Sequence, residues 1–343
     1  MSCLFGCAKH KQFTKLSLKN MDIHYNILLE VCAARRLRNK TDDWRQNMKY
    51  YIPTKVYQEI DAVKTHAEEL AGYGSCALIV TGKYSARANG ALADVEAALD
   101  AYGKKHVQYD EIEENPSVET VMKATEFGKR NGVDFVIAIG GGSPMDAAKA
   151  IAIMLANPEK DADYLYENVA HTKALPVVTI PTTCGTGSEV TGVAVLTVHA
   201  KRTKASLPHR VFPVLALADP KYLKTASKKV IGQTAIDALG HMIESYLNTT
   251  ATDYSRMFVD QGLKVWARSK DALLGMREMT DEDYSNFLLA STLAGMAIAQ
   301  TGTTIPHSLS YAITYELGVP HGIAIGYFLP GYIRDCLLYT SPS

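Results

Sequence analysis

Four side chains in the second half of the sequence are of types that bind transition metals: Asp237, His241, His307 and His321. Asp237 and His241 are four residues apart in a stretch with helical spacing, which predicts that they project from one helix face. A lone pair of this kind is more often an ion pair, and a lone histidine is more often a capping or packed residue. One carboxylate and three imidazoles together suit Fe²⁺, Zn²⁺ or Mn²⁺ better than Mg²⁺ or Ca²⁺. These ligand types do not separate iron from zinc.

Two glycine-containing segments could bind a nucleotide. The glycine turn, residues 140–146 (GGGSPMD), follows an apolar strand pattern and leads into a helical one. This order places backbone N–H groups at the positive end of a helix dipole, where a pyrophosphate can bind, although a tight turn explains the same residues. The hydroxyl loop, residues 182–188 (TTCGTGS), ends a second apolar strand pattern and offers donors to phosphate or ribose. A solvated turn is an equally good interpretation, and Cys184 within it is expected to be packed rather than nucleophilic.

The elements that would position these residues alternate between short apolar strands and amphipathic helices from Met48 onward. The pattern predicts strands at 75–82, 106–109 and 135–139 and helices at 89–102 and 117–132. Such alternation favours a parallel sheet with helices on both faces. After Pro220 long helical stretches replace the strands, at 233–247, 254–269 and 283–299. We therefore predict an α/β domain at 48–219, followed by an all-helical domain at 220–335.

The two ends fall outside this pattern. Residues 1–47 show no clear period and are either an accessory arm or upstream sequence read in frame, of which we favour the second. Residues 336–343 can be encoded by TGT CTC TTA TAC ACA TCT CCG AGC, which resembles a library-preparation adapter. On this interpretation they are an adapter-derived tail, the natural chain stops near Arg334, and the helical domain is truncated.

Composition argues against several classes of function. Thirty-six basic residues balance thirty-six acidic ones without a long block of like charge, so neither nucleic acid nor a membrane surface is expected as a partner. No apolar run approaches the roughly 18 residues of a membrane span, and the first residues lack the apolar core of a signal peptide. The six cysteines are scattered without a CxxC pair, which fits a reduced compartment and predicts a cytoplasmic protein.

Taken together, the glycine turn, the hydroxyl loop and the candidate ligands resemble the iron-containing, or group III, alcohol dehydrogenases. The matching stretches, between about Lys49 and Arg334, are GGGSPMDAAKAIA, IPTTCGTGSEVT, GQTAIDALGHMIESY and GTTIPHSLSYAITYELGVPHGIAIGYFLP. The resemblance implies a dehydroquinate synthase-like fold with a Rossmann-like dinucleotide-binding domain, a helical metal-binding domain and an active site between them. It also implies Fe²⁺, with Zn²⁺ and Mn²⁺ as alternatives, and interconversion of a small primary alcohol and its aldehyde with NADP(H) or NAD(H). Reduction of glycerol-type, lactaldehyde or maleylacetate substrates and an inactive fragment stay as alternatives.

The resemblance also implies roles for individual residues. Those expected to contact the dinucleotide are Gly141, Gly142 and Ser143 at the pyrophosphate, Asp146 near the nicotinamide ribose, Thr182, Thr183 and Ser188 along the cofactor, and Lys204 as a weaker candidate. Those expected to hold the metal are Asp237, His241, His307 and His321.

Two departures from the family pattern affect the expected chemistry. Many members carry an aspartate where this chain has Gly82 and Lys83, and loss of that carboxylate favours NADP(H), because the carboxylate would repel a 2′-phosphate. Tyr311 replaces a histidine that some relatives carry near the third ligand, as in butanol-dehydrogenase-like members. Its reference pKa of about 10 makes Tyr311 a weak candidate for proton transfer. Substrate chain length, reaction direction and the oligomeric state, including a homo-oligomer, cannot be read from the sequence.

Overall fold

The computed structural model describes the backbone of residues 49–340 and the side chains of residues 49–336. The interpretations of residues 1–47 and of the tail after Cys336 lie outside the residues whose side chains are described.

A six-stranded parallel sheet forms the first part of the fold, which confirms the predicted α/β class. Its strands are β1 (Lys55–Gln58), β2 (Cys76–Thr81), β3 (Lys105–Tyr109), β4 (Phe135–Gly140), β5 (Val177–Pro181) and β8 (Leu215–Ala218), in the spatial order β1-β8-β5-β4-β2-β3. Two more strands, β6 (Val195–Val198) and β7 (Thr203–Ser206), form a separate antiparallel pair that the sequence analysis did not predict.

Helices cover both faces of the six-stranded sheet, as expected for parallel strands. They are α1 (Ala62–Thr65), α2 (Ala67–Ala71), α3 (Ser85–Ala88), α4 (Ala91–Ala101), α5 (Val118–Asn131) and α6 (Gly142–Ala156). Alternate residues of β2 enter different cores, because successive side chains of a strand point to opposite faces. Leu78 belongs to the same hydrophobic core as Ile151 of α6, whereas Ile79 belongs to the core that contains Leu92 and Val95 of α4.

The carboxyl ends of β2, β4 and β5 lie side by side at one edge of the sheet. The chain leaves β2 for β3 on one side and returns to β4 on the other, so the topology switches between β2 and β4. Ligands of open α/β sheets bind at such switch points. In the register of β4 and β5, Gly140 pairs with Pro181, and the Thr182 N–H donates to the Gly140 carbonyl over 2.9 Å. The glycine turn and the hydroxyl loop therefore leave the sheet next to each other.

The second part of the fold is helical, in agreement with the predicted class. Its helices are α7 (Lys228–Leu247), α8 (Asp253–Arg268), α9 (Lys270–Leu273), α10 (Asp281–Thr301), α11 (Ile305–Leu317) and α12 (His321–Thr340). Helix α7 begins after Ser227, whose side chain accepts from the Val230 N–H, and its buried face packs against α8, α10 and α12. Within residues 49–340, no single helix is long and apolar enough to cross a membrane, and only α10 and α11, bent by 109°, pass that test as a pair, on length and composition alone.

The hydroxyl loop touches the helical part through two glycines. Gly187 has a φ of 59°, and a Cβ built on it would lie 2.4 Å from the Cα of Gly295 in α10. A Cβ on Gly295 would in turn lie 2.5 Å from the Gly187 carbonyl oxygen. Backbone packs directly on backbone here, so neither position has room for a side chain.

We predict that Gly187→Ala destabilises the protein more than Gly132→Ala does. Both glycines have a left-handed φ, 59° and 63°, but nothing lies within 4 Å of a Cβ built on Gly132. The left-handed conformation alone costs about 1–2 kcal/mol, and overpacking at Gly187 adds roughly 1–3 kcal/mol. Urea unfolding of both variants measures the difference. Equal destabilisation would show that the loop does not pack tightly on α10.

Candidate metal centre and nucleotide-binding edge

Three helix segments position the four predicted ligands. Asp237 and His241 lie one turn apart on the buried face of α7. His307 lies in the first turn of α11, where Pro306 follows the N-terminal residue, and His321 is the first residue of α12. The structure therefore brings together four side chains that span more than eighty residues of sequence.

The metal cluster, as we call Asp237, His241, His307 and His321, is tightest around the carboxylate. Ligand atoms of Asp237, His241 and His307 all lie within 4.8 Å of one another. The Asp237 Oδ1 atom is 3.5 Å from His307 Nε2 and 3.8 Å from His321 Nε2. The His321 side chain is 24% exposed, against 4% for Asp237 and His307, so the cluster faces solvent on the His321 side.

Two buried atoms of this cluster lack the partners that buried polar atoms require. Asp237 Oδ1 and His307 Nε2 are both inaccessible to solvent, and the described part of the chain offers neither a hydrogen-bond partner. An unsatisfied buried polar group costs about 1–3 kcal/mol, and more when it is charged. A cation between these two atoms would satisfy both, so the residues present fit a bound metal ion.

The other ring nitrogen of each histidine is already engaged. The Nδ1 partners are the Gly185 carbonyl for His241 (3.2 Å), a Glu244 carboxylate oxygen for His307 and the Ser310 hydroxyl for His321 (3.3 Å). Ser310 donates its own proton to the His307 carbonyl, so its oxygen is left to accept. Each Nδ1 can thus carry the hydrogen, which leaves each Nε2 lone pair free. Metal-binding histidines are usually held by such partners.

Electrostatics in the cluster favour an ionised carboxylate. Burial raises the pKa of Asp237, but His241, His321 and His307 lower it by more, so that it lies well below its usual range. Burial lowers the pKa of His321 to about 3, which keeps that ring neutral and able to bind a metal. In His307, burial lowers the pKa, and the adjacent carboxylates of Asp237 and Glu244 raise it, to about 9. A divalent cation would take the place of this proton.

At the sheet edge, the glycine turn and the hydroxyl loop pack against each other. A Cβ on Gly141 would lie 2.8 Å from Thr183 Oγ1, and one on Gly142 would lie 2.8 Å from Thr186 Cγ2. Gly141 is the N-cap of α6 and has no side-chain hydrogen bond that caps the helix. The first turn of α6 therefore presents backbone N–H groups that could donate hydrogen bonds to a phosphate. Ser143 Oγ accepts from the Asn115 N–H over 3.1 Å, and Thr182 is buried beside Gly140.

Ser188 is hydrogen-bonded to Asp146 and to a buried lysine, Lys149, which lies 3.9 Å from the Asp146 carboxylate. Ser188 donates to Asp146 Oδ1 over 2.8 Å, and Asp146 Oδ2 accepts from the Val195 N–H. The fully buried Lys149 donates to the Ser188 carbonyl and hydroxyl, over 2.8 and 2.7 Å, and to the Val193 carbonyl. Both predicted residues thus hold the end of the hydroxyl loop against α6, and their contacts are with the protein itself.

Lys204 and Tyr311 lie on the side of the cluster that faces solvent. Lys204 Nζ donates to Asn115 Oδ1 over 2.8 Å and lies 5.2 Å from the centre of the Tyr311 ring. That ring is stacked on His321, with the two centres 6.0 Å apart. Burial, with the nearby Asp146 carboxylate, raises the pKa of Tyr311 to about 12, so its hydroxyl stays protonated at neutral pH.

Gly82 and Lys83 follow β2 directly and so lie at the same edge as the glycine turn. A Cβ on Gly82 would make only an ordinary contact, 3.5 Å from the Ile112 carbonyl oxygen, and Lys83 is exposed. Packing around the Cβ position therefore does not require glycine at residue 82.

In the hydroxyl loop, burial raises the pKa of Cys184 to about 12, as expected for a packed thiol.

The sequence analysis missed three residues that contact the predicted ones: Asn115, Lys149 and Glu244. Glu244 was detectable, because it is seven residues after Asp237 and three after His241 and so shares their helix face. Lys149 was detectable as the one basic residue in the apolar helix pattern of α6. Asn115 lies in the loop between β3 and α5, with a φ of 57°, and no spacing rule links it to Ser143 or Lys204.

Comparison with known proteins assigns this combination of fold and site to a family. The family model for iron-containing alcohol dehydrogenase matches residues 53–220, and the model for the C-terminal part of the Fe-containing alcohol dehydrogenase family matches residues 231–337. The chain belongs to the iron-containing alcohol dehydrogenase family.

Relatives in this family include characterised enzymes and solved structures. A long-chain primary alcohol dehydrogenase of Thermoanaerobacter ethanolicus is 33% identical over 75% of this chain and 65% of its own length. An NADPH-dependent butanol dehydrogenase of Clostridium saccharobutylicum is 31% identical over 84% of this chain and 74% of its own length. The crystal structure of an iron-containing alcohol dehydrogenase from Thermotoga maritima superposes with a TM-score of 0.79, at 37% identity, over 86% of this chain and 84% of that one. This chain thus spans about two thirds of the first relative's length.

We predict that His307→Ala abolishes high-affinity binding of Fe²⁺ or Zn²⁺. The substitution removes one of the two buried, unpartnered ligand atoms and also leaves the Glu244 Oε1 atom without its partner. Metal content after loading and desalting, determined by inductively coupled plasma mass spectrometry, measures the effect. His209→Ala is the matched control, because His209 is equally buried but bonds to the Tyr164 carbonyl in the sheet-containing part. Full metal content in His307→Ala would remove His307 from the ligand set.

Proposed function

We propose that this protein is a metal-dependent oxidoreductase that interconverts a small primary alcohol and its aldehyde, with Fe²⁺ as the metal and NADP(H) as the favoured cofactor. The observation that carries the proposal is the pair of buried, unpartnered atoms, Asp237 Oδ1 and His307 Nε2, next to the hydroxyl loop. The Gly185 carbonyl of that loop accepts from His241, so the proposed metal and nucleotide sites share a hydrogen bond. We also propose a cytoplasmic location, because the scattered cysteines fit a reduced compartment.

The chain's own residues would divide the work of this reaction. Asp237, His241, His307 and His321 would hold the cation, which, once bound, would supply Lewis-acid stabilisation of charge on the substrate oxygen while nicotinamide exchanges the hydride. The His321 side of the cluster faces solvent and would admit the substrate. Tyr311, beside His321, would donate a hydrogen bond to the substrate oxygen, and its high pKa makes it a poor proton shuttle.

The carboxyl ends of the sheet strands, with the loops that follow them, would contact the whole length of the dinucleotide. The N–H groups of Gly142 and Ser143 at the start of α6 would donate hydrogen bonds to the pyrophosphate oxygens. Thr182 and Thr183 would line the cofactor, and Lys204 would lie near its nicotinamide end, because Lys204 contacts Tyr311. Asp146 and Ser188, together with Lys149, would hold the loop in place. Several of their polar atoms already bond to the protein and so would not bind the cofactor.

The activity test is reduction of small linear aldehydes by the protein loaded anaerobically with Fe²⁺ or with Zn²⁺. NADPH oxidation, followed by absorbance, is expected with the aldehydes and is expected to disappear in Asp237→Asn, which weakens the only anionic ligand of the cluster. The His209→Ala variant serves as the control for a buried substitution away from the cluster. Metal-loaded protein that binds NADPH but reduces none of the aldehydes would refute the proposed activity.

The cofactor preference gives a separate prediction, for Gly82→Asp. A carboxylate at this position would repel a 2′-phosphate and accept from a ribose hydroxyl, so the ratio of kcat/KM for NADPH to that for NADH should fall by about tenfold or more, or about 1.4 kcal/mol. Steady-state kinetics with both cofactors measure the ratio.

A matched pair of lysine variants tests whether the effect is local. Lys83→Gln, at the carboxyl end of β2, should raise the KM for NADPH, whereas Lys105→Gln, at the amino end of β3, should not. A wild-type preference for NADH, or equal effects of the two lysine variants, would contradict the assignment of the phosphate to Gly82 and Lys83.

A further inference from the structure

Glu244 lies beside the metal cluster, yet neither the resemblance nor the proposed function gives it a task. We propose that Glu244 is a positioning residue, whose carboxylate holds the His307 ring so that Nε2 faces the metal ion. This inference rests on the metal centre of the proposed function and assigns a residue outside the ligand set to its construction.

The first observation is the hydrogen bond between the two side chains. Glu244 is completely buried, and its Oε1 atom contacts Nδ1 of His307. An ionised carboxylate can only accept, so Nδ1 must be the donor and must carry the hydrogen. The neutral ring then has its lone pair on Nε2, the atom that lacks a partner and lies 3.5 Å from Asp237 Oδ1. The contact thus selects the tautomer that can bind a metal.

The second observation concerns the other oxygen of the same carboxylate. Glu244 Oε2 accepts from the backbone N–H of Thr304 over 2.5 Å and from its hydroxyl over 2.9 Å. Thr304 is the N-cap residue of α11, three positions before His307, and its own side chain does not cap the helix. One carboxylate therefore holds both the start of α11 and the ring that this first turn carries. A negative charge near a helix N-terminus is also favourable.

The third observation is the register of α7. Asp237, His241 and Glu244 are spaced by four and three residues, so all three lie on one helix face. This face supplies two ligands and the group that orients a third ligand on another helix. The neutral acceptors of the cluster, the Gly185 carbonyl and the Ser310 hydroxyl, contact the other two rings. Glu244 is the charged acceptor, and such a partner raises the basicity of the ligand it holds.

A purely structural role, in which Glu244 only fastens α11, gives different expectations. In Glu244→Gln the amide has a single oxygen, so it can accept from His307 or from Thr304 but not from both. In Thr304→Val the hydroxyl bond to Oε2 is lost, whereas the contact with His307 and the backbone bond stay. The first variant disturbs the ring and the helix start. The second disturbs the helix start and its bond to Tyr332 of α12, but keeps the contact that orients the His307 ring.

The experiment uses the full chain, freed of metal by chelation. Zn²⁺ affinity is measured by competition with a chromophoric chelator, the Co²⁺ form is examined by visible absorption, and the melting temperature of each metal-free variant is recorded. We expect Glu244→Gln to weaken Zn²⁺ binding by about 10- to 100-fold and to shift the Co²⁺ bands. We expect Thr304→Val to lower the melting temperature and to retain the wild-type affinity and spectrum.

Wild-type affinity and an unchanged Co²⁺ spectrum in Glu244→Gln would overturn the proposal, whatever the melting temperature. If that variant does not fold, Glu244→Asp, which keeps the charge but shortens the side chain, is measured in the same way and should also bind Zn²⁺ more weakly. Failure of the wild-type protein to bind either ion would refute the metal centre itself. If the wild-type protein binds metal and Glu244→Gln binds it equally well, only the role of Glu244 is refuted.

Discussion

The arrangement of the helical part depends on one buried carboxylate, Asp237. A carboxylate removed from water needs compensating charge or several donors, because the desolvation cost is several kcal/mol. The chain places three imidazoles around it, on three helices, and still leaves one carboxylate oxygen without a hydrogen-bond partner among the described residues. Packing of α7 against α11 and α12 thus brings the ligands together at a cost that a bound cation would offset. Metal binding would therefore contribute directly to the free energy that stabilises the packed helices.

The sheet contributes to the same centre through the hydroxyl loop. Lys149, buried in α6, fastens the end of this loop, and the contact between Gly187 and Gly295 seats it on α10. Held at both places, the loop can direct the Gly185 carbonyl at His241. The buried lysine is stabilised by two acceptors of Ser188 and by the Val193 carbonyl, while burial lowers its pKa to about 8. A loop with this many fixed contacts presents its hydroxyls in one arrangement, which limits the entropy lost when a ligand binds.

Much of this architecture could be predicted from local sequence patterns. Buried parallel strands leave apolar runs such as that of β4, and Asp237 and His241 report a helix face directly through their spacing. The predicted helix at 233–247 began five residues late, because Ser227 caps a first turn with an exposed, polar surface that shows no apolar period. The antiparallel pair of β6 and β7 has four-residue strands, which are too short to show a period.

Contacts between distant segments could not be predicted in this way. Which residue holds Nδ1 of His307 depends on how α11 lies against α7, and no rule of spacing gives that angle. Residue type and the family resemblance together brought His321 into the ligand set, whereas its partial exposure and the nearness of Lys204 and Tyr311 emerge only from the fold. The roles of the remaining residues came from the family resemblance, which indicates functional residues but not the residues that contact them.

The hydrogen bond from His241 to Gly185 has a further physical consequence. One end belongs to a proposed metal ligand and the other to the loop that would line the nucleotide, so a displacement of the loop acts on the His241 ring. Thermodynamic linkage makes such an effect reciprocal, since a ligand that changes the affinity for a second ligand is affected by it equally. The Gly185 position also forbids a side chain, because a Cβ there would lie 2.7 Å from the Thr234 carbonyl oxygen of α7. The close approach that excludes a side chain is the same approach that lets the carbonyl reach the histidine.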